Sequence, residues 1–526
     1  MDFIAGIDRN QLSVGCLEEM IGEENAVRVV DAFVDHIEMN KLGFIVSTVK
    51  LEGRPAYDSK CFLKIYLYGY LNGIRSSRRL EKECVRNIEL QWLTGSLRPN
   101  YHSISDFRKV NPKALKNTFK LFGLFLKDAD LIAGETIAID GTKVRAHNSK
   151  KNNYSQKKID RHLLYVEERV QEYLTQLDSN DVQEDSEKVR FVEEKLALLK
   201  NNKIKYELLQ EKLDASNESQ VSTTDVDSRA LLVQGQVVEV SYNVQAAVDS
   251  KYKLIVATHT INRNDRNAMS AIALEAKQNL HVESLTVILD KGYHNGRELQ
   301  ICKDNNITTI VANQETLNDP ETGTSPDYLL KHFVYNMEED YYTCPQGKKL
   351  KTNGTWYVKK REEKISYHFK KYRTGACKEC PVKNLCTGRV KGGRELERSE
   401  YAEAVEQNNI RYKENATLYR TRQEINEHIF GTIKRKWGYN HTNLMGLEKV
   451  NGEMSLIMLV YNLKRSMNIL GITELITKIK KWKPDYTGFS WLSTFLTSLK
   501  HLWLQQIFAL SFIYTKNDIL KKTQTG

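Results

Sequence analysis

Two short stretches of the chain end in the same way. "TIAIDGTKVRAH" (136–147) is apolar up to Asp140, passes through Gly141 and turns basic at Lys143, Arg145 and His147. "VILDKGYH" (287–294) runs through Val287, Ile288 and Leu289 into Asp290, then Lys291, Gly292 and His294. A lone aspartate after a strand is ordinarily a turn residue, because its side chain bonds the backbone two residues on. Two of them ending neighbouring parallel strands would share one sheet edge, where like charges repel unless a cation lies between them. Magnesium or manganese suits that gap, since hard divalent ions prefer carboxylate oxygens. A third acid would have to come from another element. "LYRTRQEINEHIFGTIKRKWGY" (418–439) reads as one helix with Ile425, Ile429, Phe430, Ile433 and Trp437 on its apolar face. Glu427 lies at the edge of that stripe, and its neighbours three and four residues away (Gln423, Glu424, Phe430, Gly431) offer no cation. Glu424, by contrast, has Arg420 before it and His428 after it at helical spacing. Lys434 should lie on nearly the same side as Glu427, about 10 Å along the axis.

A second group of reactive side chains is sulfur-based. "CPQGKKL" supplies Cys344, and "CKECPVKNLC" supplies Cys377, Cys380 and Cys386. Four thiolates in this grouping suit a tetrahedral structural zinc; uncoordinated reduced thiols and an iron–sulfur cluster are the alternatives. The nearby Lys348, Lys349, Lys351, Lys370, Lys371 and Arg373 suit either DNA contact or plain solvation. Cys16, Cys61, Cys84 and Cys302 are isolated and expected to be packed.

The elements that must position these groups change character along the chain. The first 130 residues read as helices. "EENAVRVVDAFVDHIEMN" and "YDSKCFLKIYLYGYLNGI" carry apolar residues near helical spacing. A basic turn with Arg75, Arg78 and Arg79 opens another helix, and in "NYHSISDFRK" Ser103 is the expected cap with Asp106 three residues on. Such helix starts can hold phosphates, since their free N–H groups and the basic side chains both favour anions. From 134 short apolar strands take over. "VVEVSYNVQAAVD" and "KLIVATHTI" form an expected antiparallel pair turning at Asp249–Ser250, followed by a helix near 267–280, "LTVILDKGY" and "ITTIVA". That order predicts an α/β layer architecture with a mixed sheet. Between the first two strands, Leu163, Val166, Val170, Tyr173 and Leu177, then Val189, Val192, Leu196 and Leu199, predict an antiparallel helical hairpin.

Bulk composition narrows the class. The chain has 526 residues, 40% hydrophobic and 28% charged, with a net charge of +11. This length predicts several structural units, and the charge is compatible with a polyanionic partner. The start "MDFIAGIDRNQL" lacks the basic and apolar regions of a signal peptide. The most apolar stretch, "LWLQQIFALSFIY" (502–514), is shorter than the roughly 20 residues a membrane span needs. Eight cysteines in a chain this long do not suggest a secreted disulfide scaffold. A cytoplasmic protein without membrane contact is expected.

These residues together resemble the bacterial insertion-sequence DDE transposases. The resemblance lies in "AIDGT", "LDKGY", the Tyr419-x₂-Arg422 and Glu427-x₆-Lys434 spacing, "VSYNVQAAVDSKYKLIVA" and "GLEKVNGEMSLIMLVYNLKR". "YDSKCFLKIYLYGYLNGI…SISDFRK" is similar to the helical domain that precedes the catalytic core in one branch, and the cysteine module is similar to one seen there. Four residues separate Arg422 from Glu427, where some branches have three, so Arg422 matches less closely than the acid. The resemblance implies a ribonuclease H-like α/β fold, a mixed sheet flanked by helices. It implies an N-terminal helical DNA-binding domain (1–130) and a core split into 131–155, 223–315 and 411–470. A helical-hairpin insertion (156–222), a cysteine-module insertion (316–410) and a tail of unassigned role (471–526) complete the expected organisation. Asp140, Asp290 and Glu427 would hold two Mg²⁺ or Mn²⁺ ions for phosphodiester cleavage and strand transfer at terminal inverted repeats. Lys434, Arg422 and Tyr419 would contact DNA, as would Lys143, Arg145, His147, Lys291, Arg78 and Arg79. The expected partners are double-stranded DNA, as element ends and target, and a second copy of the chain acting on paired ends near the nucleoid. An inactivated relative serving as a DNA-binding regulator, and a nuclease without strand transfer, are the competing readings.

Overall fold

A computed structural model describes residue 10 and residues 14–45, 56–181, 186–216, 218–233, 237–313, 324–361 and 364–489. Two compact units emerge: Met1–Ala133, Gly141–Asn264 and Glu427–Gly526 form the first, Gly134–Asp140 and Asp265–Asn426 the second. Trp491, Trp503 and the apolar 502–514 stretch lie outside the described residues.

The helices of the first unit start where the sequence supplies caps. Asn25 accepts the Val27 N–H for helix Ala26–His36, and Asp58 accepts the Lys60 N–H for helix Ser59–Leu71. Asn87 does the same for helix Ile88–Thr94. Each such cap contributes roughly 1 kcal/mol. Helix Tyr101–Val110 departs from expectation: Asn100 is its cap, and Ser103 instead donates its N–H to Asn100 Oδ1 at 2.9 Å. Asparagine one residue before the helical run reaches the free first-turn N–H that a serine inside that turn cannot.

The axis of this unit is helix Leu447–Leu470, buried on nearly every side. It packs against helix Pro112–Asp128 at a point where a β-carbon on Gly452 would stand 2.6 Å from Pro112 Cα, so only glycine lets the two backbones approach. Further along, Asn462 grips strand Ile255–Ile261 by its backbone, accepting the Ile255 N–H at 2.9 Å and donating to its carbonyl at 2.7 Å. That strand runs antiparallel to Val237–Asp249, as expected. Strand Arg229–Val233 is also antiparallel to Val237–Asp249. Helices Gln156–Asp181 and Ser186–Ser216 pack together, and a short strand pair, Asn153–Ser155 with Gln220–Ser222, ties their base. Tyr154, Ile159, Leu209 and Leu213 form its apolar seal.

In the second unit, the opening residues of strand Thr136–Arg145 pair in parallel with Leu285–Leu289, which pairs in parallel with Ile307–Val311. Ile137, Ala138, Ile139, Val287, Ile288 and Leu289 are all fully buried, which accounts for their unbroken apolar runs. Helices Met269–Leu280 and Gly296–Asp304 precede and follow Leu285–Leu289. Asn408, on helix Ala402–Glu414, clamps the Val311 backbone as Asn462 clamps Ile255. Short antiparallel sheets between 334 and 399 carry the cysteine module. The fold is mixed α/β, with antiparallel strands followed along the chain by parallel ones.

The stretch expected to be one helix over 418–439 is not uniform. It is α-helical over Ala416–Phe430 and then a π-helix over Gly431–Lys436. Lys434 therefore lies in a wider turn, and the α-helical phase that placed it above Glu427 does not carry across Gly431.

Candidate active site

The register of the parallel strands sets the two aspartates level. Ala138 pairs with Ile288, so Asp140 and Asp290 each stand two residues beyond the same paired position. Neighbouring strands lie about 4.8 Å apart, and residues two apart share a face. Past Leu289 the chain leaves the sheet, and Asp290 turns it by accepting the Gly292 N–H at 2.8 Å. The turn residue and the acid at the edge are thus the same side chain.

Arg422 stands against this edge, with its guanidinium 3.7 Å from Asp140 Oδ2. Its charge also lies over Tyr419, 5.9 Å from the ring centre, while Tyr412 meets that ring edge-on at 4.8 Å. Burial pushes the Tyr419 hydroxyl pKa up, Arg422 opposes the rise and the Asp290 charge adds to it. Asp140, Asp290, Arg422 and Tyr419 therefore form one electrostatic group within the second unit. Four intervening residues between Arg422 and Glu427 do not displace the arginine from the acid it faces. The donor set suits a hard divalent cation: two carboxylates level on adjacent parallel strands, where a cation already stands.

The first unit holds the next group. Lys434 donates to Thr142 Oγ1 at 3.1 Å and to the Lys143 carbonyl at 2.9 Å. With Lys143, Arg145, His147 and His441 it lines a cleft of about 420 Å³. Burial holds the Lys434 ammonium below the usual lysine range; Glu239 opposes that effect and Lys143 and Arg435 add to it. The far wall is fixed by backbone bonds between Arg145 and its neighbours: the Arg145 N–H donates to the Asn440 carbonyl at 3.0 Å, and the Thr442 N–H donates to the Arg145 carbonyl at 2.9 Å. Glu427 is exposed on its helix, and Lys291 is exposed directly after Asp290.

Cys344, Cys377, Cys380 and Cys386 line a single cavity of about 30 Å³, room for one ion or a water or two. The Lys348 N–H points at Cys344 Sγ from 3.3 Å. Burial raises the Cys386 thiol pKa, with Arg394 opposing and the other three cysteines adding. Among the described residues, no three or more His, Cys, Asp or Glu side chains form a ready-made metal-holding set. The thiols share a cavity without standing as ligands in place. Cys61, Cys84 and Cys302 are buried as expected, whereas Cys16 is exposed.

Sequence reading missed two features. Arg75, read from sequence only as part of a basic turn, is buried with Arg108 against Glu453. Asn426, next to Glu427, is 1% exposed with neither amide atom hydrogen-bonded. Its polar type at a helical position adjoining the apolar stripe was the one available hint.

Known families match two spans of the chain. Residues 343–467 match the transposase DDE domain family, and residues 15–110 match the transposase domain family DUF772. Both matched families are transposase families. The first span takes in the cysteines, Tyr419, Arg422, Glu427 and Lys434, and the second takes in Arg75, Arg78 and Arg79; Asp140 and Asp290 fall outside both. Among solved structures, the transposase is similar to the piggyBac transposase synaptic complex with hairpin DNA, at 8% identity. The likeness covers 87% of this chain and 82% of that one, with a TM-score of 0.27. No curated protein matches the transposase. No helix among the described residues is long and apolar enough to cross a membrane.

Proposed function

We propose that the transposase binds the terminal inverted repeats of an insertion sequence as a homodimer, cuts there and joins the ends to target DNA. The observation that carries this reading is the pair Asp140 and Asp290, level on adjacent parallel strands with Arg422 beside them. Asp140, Asp290 and Glu427 would hold Mg²⁺ or Mn²⁺. Bound there, such ions would supply Lewis acidity to the attacking water or 3′-hydroxyl and to the leaving 3′-oxygen. The protein's own side chains supply the rest. Lys434 neutralises a phosphate beside the scissile bond, and its half-buried ammonium, anchored by Thr142, sets where that phosphate lies. Lys143, Arg145 and His147 continue the positive wall along the strand. Arg422 and Tyr419 orient the sugar–phosphate backbone over the aspartates, and Lys291, Arg78 and Arg79 bind backbone further away. The four cysteines would close on a structural zinc, their shared cavity being the support for that assignment. The site of action would be the bacterial cytoplasm, where nucleoid DNA lies.

The test is incubation of purified protein with labelled element ends and either Mg²⁺ or Mn²⁺. Cleavage followed by joining to a target plasmid is the expected result. Cleavage without joining would leave a nuclease, and stable binding with no product in either metal would leave a DNA-binding regulator.

A further inference from the structure

A second basic cleft, of about 510 Å³, lies in the first unit. It is lined by Arg75, Ser77, Arg78, Arg79 and Arg108 on one side and by the segment from Trp437 to Asn443 on the other. Three observations describe what it lacks. Helix Ser77–Arg86 opens onto it, and Ser76 at its N-cap makes no side-chain bond to the first turn. Arg75 and Arg108 have side chains only 8% and 6% exposed, yet the Nε of each has no hydrogen-bond partner. Among the described residues their shared counter-ion is Glu453, at 2.9 Å and 3.7 Å, so two buried guanidinium charges face one carboxylate.

The remaining contacts do not balance that charge. Arg75 donates to the His441 carbonyl at 2.6 Å and lies over the Tyr439 ring, and Arg108 donates to the Tyr70 hydroxyl at 2.6 Å. Glu453 also accepts the Asn443 and Leu444 N–H groups at 3.0 Å and 3.1 Å and the Tyr70 hydroxyl at 3.3 Å, which spreads its charge over five donor groups. Arg78 and Arg79 at the mouth are exposed. A buried excess of positive charge with unused donors, beside an uncapped helix start, is a site built for an anion with several acceptor oxygens.

We propose that this cleft receives one backbone phosphodiester of the bound DNA, held by Arg78, Arg79 and the first-turn N–H groups with Arg75 beneath. The assignment rests on the reading of the chain as a DNA-cutting transposase and adds to it a fixed phosphate position away from the carboxylates. Because Arg75 also holds the His441 carbonyl, the phosphate is bound by the same arginine that anchors the segment following Lys434.

The experiment measures the affinity of the full chain for a duplex of arbitrary sequence over a range of salt, for wild type, Arg78→Ala/Arg79→Ala and Lys82→Ala. Each lost phosphate contact lowers the slope of log K on log salt by about 0.9. The double variant is expected to lose about one to two such contacts and roughly tenfold in affinity at low salt. Lys82→Ala, exposed on the same helix but outside the cleft, should leave the slope unchanged. An unchanged slope in the double variant overturns the proposal. Inorganic phosphate alone provides a second arm. If it raises Tm through Arg78 and Arg79 while the duplex slope stays fixed, the cleft takes free phosphate and the DNA assignment falls. Metal-dependent cleavage by wild type is followed in parallel. Cleavage with an unchanged slope sinks only this inference; no binding and no cleavage sinks the functional reading as well.

Discussion

Glu453 and Asp140 each face arginine, but under different conditions. Glu453 is wholly enclosed, with Arg75 at 2.9 Å, Arg108 at 3.7 Å and two backbone N–H groups on its oxygens. Asp140 keeps 30% of its side chain open and meets Arg422 at 3.7 Å. Enclosure with a full set of donors makes Glu453 a fixed part of the core, where removal of the carboxylate strands two cations away from water. Asp140 is partly open, just past the last residues paired in parallel, and is one of the acids proposed above to hold a metal ion. An acid that holds the fold together and the acid proposed to do chemistry thus differ in solvent access and pairing distance.

The sharpest way to test this contrast is to neutralise each acid in turn. Asp140→Asn or Asp290→Asn should lower the rate of DNA cleavage by about 10³-fold or more, near 4 kcal/mol. Duplex affinity and Tm should stay close to wild type, as measured by anisotropy and calorimetry on the same preparations. A variant that kept its cleavage rate, or that unfolded, would erase the distinction. Glu453→Gln should do the reverse, destabilising the fold by about 3 kcal/mol and reducing activity only in proportion to the folded fraction. Denaturant melts read the first effect, and specific activity per folded molecule reads the second.

Acid sharpens the comparison further. Burial pushes the Glu453 carboxyl pKa up, but Arg108 and Arg75 outweigh that effect and hold it below its ordinary value of 4.5. A depressed carboxyl contributes stability that is complete above the unfolded pKa and is lost as pH falls through the folded one. Wild type should therefore lose stability below 4.5, and Glu453→Gln should lack that component in paired melts across the same range. The smallest expected effect is in the cysteine cavity. Cys380→Ser should lose stoichiometric zinc by elemental analysis and about 1–3 kcal/mol of stability; protein purified in reducing buffer without zinc would remove that assignment.

Much of the parallel core could be read from local sequence, because fully buried parallel strands announce themselves as apolar runs; Asp290 follows the end of its strand as expected, whereas Asp140 lies within a strand that continues to Arg145. The hairpin helices were equally visible in their spacing. The convergence of Cys344 with the later three cysteines followed from residue chemistry, although no spacing rule measures the distance between thiols. The burial of Arg75 was not legible for a plain reason: its carboxylate partner lies 378 residues away, and only a tertiary contact could show it. Asn100 displaced Ser103 as a cap because both are good caps and the first helical residue decides between them.

The π turn from Gly431 to Lys436 has a consequence for length. Such a turn spends about one residue more than an α-helix does for the same advance. Counting in α-helical steps from Phe430 therefore leaves Lys434 about one residue, or roughly 100°, out of phase with its true bearing. Deleting a single residue such as Thr432 would restore regular winding and swing the lysine off Thr142, so this stretch should tolerate substitution far better than a change in residue number.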